Sequence, residues 1–308
     1  METNSYLGNP ALKTVNVKSK WTPKRLEELQ KCSEDPLYFI CKYIKVVTID
    51  TAVTDFNLWP FQKNLIKTVE ENRYVITTMP RQSGKSTTMV AYFLWYILFN
   101  SYKNVCILAN KRDTAMELMS RLQLAFELLP SWLQQGIKGW NKTSIELENG
   151  CKVSAHATSG GSVRGGTYNI IFLDEFAHIE AKLADKFWTS TLPVISQGKT
   201  SKVIIVSTPN GMNLFWEMWE KANLDHNNPK WNKMIPLQVH YTEVPGREDP
   251  AWADNMISLI GQERFDQEFG PCVQKTYIYL YDTFLQKEIK LTIGELYERL
   301  CEPELLDK

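Results

Sequence analysis

From Arg73 onward, compact apolar runs alternate with helix-length segments. The runs are Tyr74–Met79, Val105–Ala109, Ile170–Leu173 and Val203–Val206. Short continuous runs of this kind suit strands buried on both faces, and their spacing predicts a parallel sheet covered by helices on either side. The expected fold class is therefore α/β, doubly wound, with a mainly parallel sheet flanked by helices. In KRDTAMELMSRLQLAFELL, the residues Ala115, Met119, Leu122, Ala125, Phe126 and Leu129 recur at helical spacing and predict a helix with one core-facing stripe. SIELENGCKVSAHA predicts a hairpin whose tight turn takes its positive φ from Asn149-Gly150. Residues 1–31 are polar and lysine-rich, which predicts a solvated arm leading into a short helix at WTPKRLEELQ.

Composition narrows the possibilities without selecting one. The chain has 308 residues, 44% apolar and 23% charged, enough to bury a full core. Its 35 basic and 35 acidic residues cancel, so any contact with nucleic acid has to be a local patch. Six cysteines lie far apart with no C-x-x-C pair, which argues against zinc or a disulfide framework and for a reducing cytosol. The amino terminus has no apolar signal-like region, and Met89 to Phe99 is too short to span a bilayer, so no membrane partner is expected.

The chemistry begins at MPRQSGKSTT, which ends like a phosphate-binding loop but has Met79 where the first glycine of G-x-x-x-x-G-K-[ST] would stand. An apolar strand runs into this stretch and a helix-length apolar segment leaves it, the setting such a loop requires. Residues Pro80, Arg81, Gln82, Ser83, Gly84, Lys85, Ser86 and Thr87 form the candidate cradle. Backbone N–H groups would hold β/γ-phosphate oxygens, Lys85 would neutralise them, and the Ser86 hydroxyl would ligate Mg²⁺. The missing glycine costs turn flexibility but removes none of these ligands.

In NIIFLDEFAHIE an apolar strand ends in Asp174 and Glu175. Placed beside the phosphate-loop strand, Asp174 would hold Mg²⁺ and Glu175 would orient or deprotonate an attacking water. KVIIVSTPNG brings Ser207 and Thr208 to the same sheet edge, where their hydroxyls could sense a γ-phosphate or its water. In FNLWPFQKNLIK, Phe61 and Gln62 combine a ring that can stack on a base with an amide that can read adenine, although Trp-Pro-Phe equally suits plain packing.

Taken in order, EDPLYFICKYI, FNLWPFQKNLI, MPRQSGKSTT, NVCILANKRDTAMEL, GGSVRGGTYNIIFLDEFAHI and VIIVSTPNGMNLFWEMW resemble the ATPase motor domain of the tailed-bacteriophage terminase large subunit, over about residues 34–270. The resemblance accounts for the absent glycine, since that family's loop commonly lacks it and carries an interior Arg. It implies a P-loop NTPase of the additional-strand, catalytic-glutamate type that hydrolyses ATP with Mg²⁺ to drive double-stranded DNA into a prohead. It also implies that Arg81 is an arginine finger in cis, that Lys85 and Glu175 act in catalysis, that Phe61 and Gln62 read adenine, and that Ser207-Thr208 couple hydrolysis to movement. The implied partners are DNA, a portal protein and a small terminase subunit, with the chain a homo-oligomer on the portal in the host cytoplasm. A helicase-like DNA-remodelling ATPase, or the host portion of a split splicing system, remain the alternatives.

The resemblance divides the chain into a polar arm (1–33), a motor domain (34–271) and a tail (272–308). The family continues into a nuclease domain, whereas here PCVQKTYIYLYDTFLQKEIKLTIGELYERLC follows, so endonuclease activity is not expected from this chain. That tail is similar to the beginning of an intein, with Cys272 at the junction, two β-type runs around a turn and then a short helix. It implies a splicing nucleophile at Cys272 and a separate chain carrying the intein's carboxyl-terminal half and the nuclease; the alternative for residues 272–308 is a truncated or diverged linker to the nuclease domain.

Overall fold

The computed structural model describes residues 4–48, 52–159, 166–196, 198–270, 277–282 and 287–292. Two compact units share the chain: residues 1–75 with 84–206, and residues 76–83 with 207–308.

The first unit opens with a small hairpin, β1 (Ser5–Tyr6) and β2 (Asn9–Lys13). The arm expected to be solvated is anchored instead. Leu12 is buried, and the Gln134 side chain donates to the Ala11 carbonyl at 2.9 Å while accepting from the Lys13 N–H at 3.2 Å. Gln134 is a buried amide that must be satisfied, and the arm supplies part of its partners, the carbonyls of Phe126 and Leu129 the rest. Two helices follow, α1 (Pro23–Glu34) and α2 (Pro36–Tyr43), each with Pro in its first turn. Thr22 caps the first, and Asp35 accepts from the Leu37 and Tyr38 N–H groups to cap the second. Then come the pair β3 (Lys45–Thr48) and β4 (Ala52–Asp55), and α3 (Pro60–Glu71).

The main sheet has eight strands. They are β5 (Tyr74–Thr78), β6 (Asn104–Ala109), β7 (Ile137–Asn141), β8 (Ser144–Leu147), β9 (Lys152–Ala157), β10 (Ile170–Asp174), β11 (Lys202–Ser207) and β12 (Ile235–Gln238), in the order β12-β5-β11-β10-β6-β9-β8-β7. Strand β10 pairs parallel with both β11 and β6, and β6 pairs parallel with β9. Antiparallel β7 and β8 finish one edge. The apolar runs behave as fully buried strands: all five residues of β10 and the last five of β6 and β11 are buried. One expectation is corrected. The strand ending in Asp174 does not lie directly beside the phosphate-loop strand, because β11 is inserted between them. This is the additional strand, and it places Ser207 rather than Asp174 next to the loop.

Helix α4 (Lys85–Phe99) leaves the loop, and its apolar positions run all round it; Met89 through Trp95 are all buried, as expected of a helix enclosed on every side. Helix α5 (Arg112–Glu127) carries the predicted stripe: Ala115, Met119, Leu122, Ala125, Phe126 and, just beyond the helix, Leu129 are all buried. The hairpin between β8 and β9 also forms. Only Gly150 takes positive φ, at 78°, while the Asn149 side chain accepts from the Cys151 N–H at 3.1 Å. Helix α6 (Ala181–Ser196) links β10 to β11.

The second unit holds the start of the loop, then α7 (Leu214–Ala222), β12, α8 (Pro250–Ile260) and α9 (Gln262–Phe269). Ala253, Phe265 and Phe269 form a small apolar core, with Tyr241, Trp252 and Met256 packed on it. Strands β13 (Tyr277–Asp282) and β14 (Lys287–Thr292) pair antiparallel, matching the two β-type runs read from the tail. Cys272 and the helix expected after β14 lie outside the described residues. The described part of the chain contains no helix long and apolar enough to cross a membrane.

Candidate active site

Gly84 is the hinge of the candidate phosphate loop. It caps α4 with φ 74° and ψ 12°, a left-handed conformation costly for any residue with a Cβ. A Cβ there would also lie 2.6 Å from Nε2 of Gln62. That amide is buried, and its Oε1 accepts from the Trp59 N–H at 3.0 Å, closing the start of α3. Phe61 is buried beside Trp59, their ring centroids 5.6 Å apart. Gln62 thus stands against the phosphate loop, its oxygen engaged with backbone and its nitrogen turned to Gly84.

Four predicted residues converge at the helix start and the end of β10. The Lys85 Nζ lies 2.8 Å from Oε1 of Glu175, and the Ser86 hydroxyl donates to Oδ1 of Asp174 at 2.8 Å. Lys85 and Asp174 are buried, whereas the Glu175 side chain keeps 24% of its surface exposed. Burial pushes the Asp174 carboxyl up to about 6, reinforced by the neighbouring Glu175 charge and opposed by Lys85, the Ser86 hydrogen bond and Arg121. Glu175 adopts φ 52° and ψ 43°, a left-handed conformation for a residue with a full side chain, at the turn before Phe176–His178. Its N–H donates to the Val206 carbonyl at 2.8 Å, which fixes that geometry. Backbone strain of this kind costs on the order of 1–3 kcal/mol and concentrates at functional positions. The Thr87 hydroxyl accepts from Arg121 at 3.0 Å.

Within the second unit, Arg81 is held rather than free. Its Nη1 lies 2.8 Å from Oε1 of Glu268, and its N–H donates to the Glu268 carbonyl at 2.9 Å. The Arg81 side chain is 63% exposed, so the pair is a solvated one. Pro80 and Ser83 are buried, and Gln82 takes φ 56°. Ser207 and Thr208 are buried too; the Ser207 hydroxyl donates to the Thr208 carbonyl at 2.8 Å, and the Ser207 carbonyl accepts from the Met79 N–H at 3.2 Å. The predicted coupling pair is therefore tied to the backbone where the first loop glycine is missing.

Three residues here escaped sequence reading. His178 lies 3.7 Å from Oε2 of Glu175, and its position three residues on was a usable signal. Glu268 and Arg247 carried none, being far from the loop in sequence; Arg247 Nη1 donates to the Arg81 carbonyl at 3.0 Å.

A glycine-capped helix start carrying Lys and Ser, a strand-borne Asp-Glu pair and an inserted strand together define a P-loop NTPase fold of the additional-strand type. Residues 76–270 match the family described as terminase large subunit, T4likevirus-type, N-terminal, and the chain belongs to that family. The large terminase of bacteriophage HK97 is similar in structure, with a TM-score of 0.59 at 16% identity over 78% of this chain and 54% of that one. The large terminase ATPase domain of Thermus phage P74-26 aligns with a TM-score of 0.53 at 19% identity over 67% of this chain and 91% of that one. A large terminase from a thermophilic bacteriophage, in complex with ADP, gives 0.54 at 12% identity over 74% of this chain and 56% of that one. The chain thus spans about half the length of two of these three terminases.

Proposed function

We propose that this chain binds and hydrolyses ATP as the motor part of a DNA-packaging terminase, driving double-stranded viral DNA into a prohead in the host cytoplasm. The observation that carries this reading is the pairing of Lys85 with Glu175 beside that of Ser86 with Asp174, at the start of α4 and the end of β10. Lys85 is a buried cation paired with a partly exposed carboxylate, so incoming phosphate can take over its charge. Glu175 is then released to accept a proton from water, its backbone already fixed by the bond to Val206. Ser86 and Asp174 present the hard oxygen donors that suit Mg²⁺, which when bound supplies charge neutralisation for the phosphoryl group. Arg81 acts as the finger by exchanging Glu268 for phosphoryl oxygens, and a solvated ion pair of about 0–1 kcal/mol is cheap to exchange. Phe61 and Gln62 would receive the adenine, and Ser207-Thr208 would pass hydrolysis to the backbone of the loop. In this reading the subunit works as a homo-oligomer with a portal protein and a small terminase subunit.

Calorimetric titration with ADP and Mg²⁺ tests the site. The parent chain binds, and Lys85→Ala weakens binding by tenfold or more, on the order of the 1.5–3 kcal/mol of a charge-assisted hydrogen bond. Equal affinity in the two proteins would overturn the assignment. The antiparallel pairing of β13 with β14 supports a second reading for the tail, an intein's amino-terminal portion with Cys272 as nucleophile. Mixed with the chain that carries the carboxyl-terminal half, the protein then loses residues 272–308 by intact mass, and Cys272→Ala retains them.

A further inference from the structure

Arg247 is the most unusual side chain near the loop. It is 9% exposed, and among the described residues no carboxylate lies within ion-pair distance of it. A buried charge without a counter-ion is costly unless dipoles satisfy it. Its partners are the carbonyl oxygens of Arg81 and Gln82, at 3.0 and 3.5 Å, and two ring faces. The guanidinium carbon stands 5.0 Å from the Trp252 centroid and 5.3 Å from that of Phe269. Those rings meet edge-to-face, 5.2 Å apart, within the small core that also holds Phe265. Both ends of the arrangement are therefore fixed: the rings hold the guanidinium, and the guanidinium holds two consecutive loop carbonyls.

The consequence follows from peptide geometry. In a trans peptide the C=O of one residue and the N–H of the next point in opposite directions, and there is no cis bond here. Pinning the carbonyls of Arg81 and Gln82 onto Arg247 turns the N–H groups of Gln82 and Ser83 to the other side of the loop. Gln82 at φ 56° and Gly84 at φ 74° add the left-handed turns that make successive N–H groups concave, a form suited to anions. A left-handed non-glycine residue costs roughly 1–2 kcal/mol, and the clamp on its carbonyl opposes relaxation.

We propose that Arg247 is a positioning residue for the phosphate loop, holding the Arg81 and Gln82 carbonyls so that the Gln82 and Ser83 N–H groups face a bound nucleotide's phosphates. This rests on the ATP-binding reading above. It assigns to Arg247 a part in shaping residues 81–83 that the loop's own sequence, lacking its first glycine, does not provide. A lysine cannot replace Arg247, because a point charge neither bridges two carbonyls nor lies flat on two rings.

The test measures ADP and adenosine affinity for the parent, Arg247→Lys and Lys85→Ala, with Mg²⁺ present, alongside melting curves without nucleotide. Arg247→Lys is expected to lose about tenfold in ADP affinity while binding adenosine as the parent does, a phosphate-specific loss that general loosening of the fold would not produce. If Lys85→Ala is weakened and Arg247→Lys binds ADP like the parent, the inference is overturned and the site stands. If neither is weakened, both fall. Should Arg247→Lys fail to fold, Trp252→Leu replaces it; it removes one ring face but no hydrogen bond, and its expected loss for ADP alone is about threefold. Unchanged ADP affinity in Trp252→Leu would then overturn the inference.

Discussion

Replacing Gly84 with alanine should damage the fold through two separable terms. With φ at 74°, any Cβ residue at this position bears the left-handed penalty of roughly 1–2 kcal/mol. The new Cβ would lie 2.6 Å from the Gln62 amide nitrogen, closer than real contacts allow, so the Gln62 side chain must move. Gln62 is 1% exposed and its Oε1 accepts from the Trp59 N–H at 3.0 Å, so displacement forfeits a buried bond worth about 0.5–1.5 kcal/mol. The sum is about 1.5–3.5 kcal/mol, read as a lower urea midpoint at unchanged slope. Pairing the change with Gln62→Ala separates the terms. The double variant escapes the collision but keeps the φ penalty, so the cycle should return a coupling of about 1 kcal/mol. A Gly84→Ala protein within about 0.5 kcal/mol of the parent, or a strictly additive cycle, would refute the reasoning.

Other outcomes follow from the same geometry. Arg81→Ala should lower the single-turnover rate on the order of 10³-fold with little change in ATP affinity, and Arg81→Lys should not restore it. Glu268→Gln, which frees Arg81 from its ion pair, should leave stability within about 1 kcal/mol of the parent in thermal melts. Ser86→Ala should raise the Mg²⁺ concentration needed for half-maximal hydrolysis, since it removes one of two oxygen donors. The Glu28 carboxyl, bonded by Lys42, Tyr43 and Tyr38, is held down at about 2. A depressed carboxyl stabilises above its unfolded value and loses that contribution as pH falls toward the folded one. The stability gap between parent and Glu28→Gln should therefore be full at pH 7 and shrink as the pH falls from about 4.5 toward 2, as followed by urea unfolding.

Much of the scaffold was legible because parallel strands buried on both faces leave continuous apolar runs. Val105–Ala109 and Val203–Val206 were strands on that evidence alone, and Ala115 to Phe126 showed their stripe at helical spacing. Lys85, Ser86, Asp174 and Glu175 were legible because each sits at the junction of a strand with a turn or helix, where local pattern and chemistry coincide. Strand order was not legible in local pattern, since pairing is decided by side chains remote in sequence; the family resemblance, not the spacing of motifs, implied the additional strand that β11 forms beside β5. The anchored arm was missed for a related reason: its polar composition is real, but residues remote in sequence, Gln134 and Glu148, accept from its backbone N–H groups. Arg247 and Glu268 belong to the same class, reaching the loop across more than 160 residues of chain.

The central claim is that Glu175 activates water while Lys85 and the loop hold phosphate, and the measurement that separates these is single-turnover ATP hydrolysis by Glu175→Gln alongside nucleotide affinity. The amide keeps the shape and an acceptor for Lys85 but has no basic oxygen to take a proton. Binding should stay within about threefold of the parent while the hydrolysis rate falls by roughly 10²–10⁴. Hydrolysis at the parent rate would contradict the account.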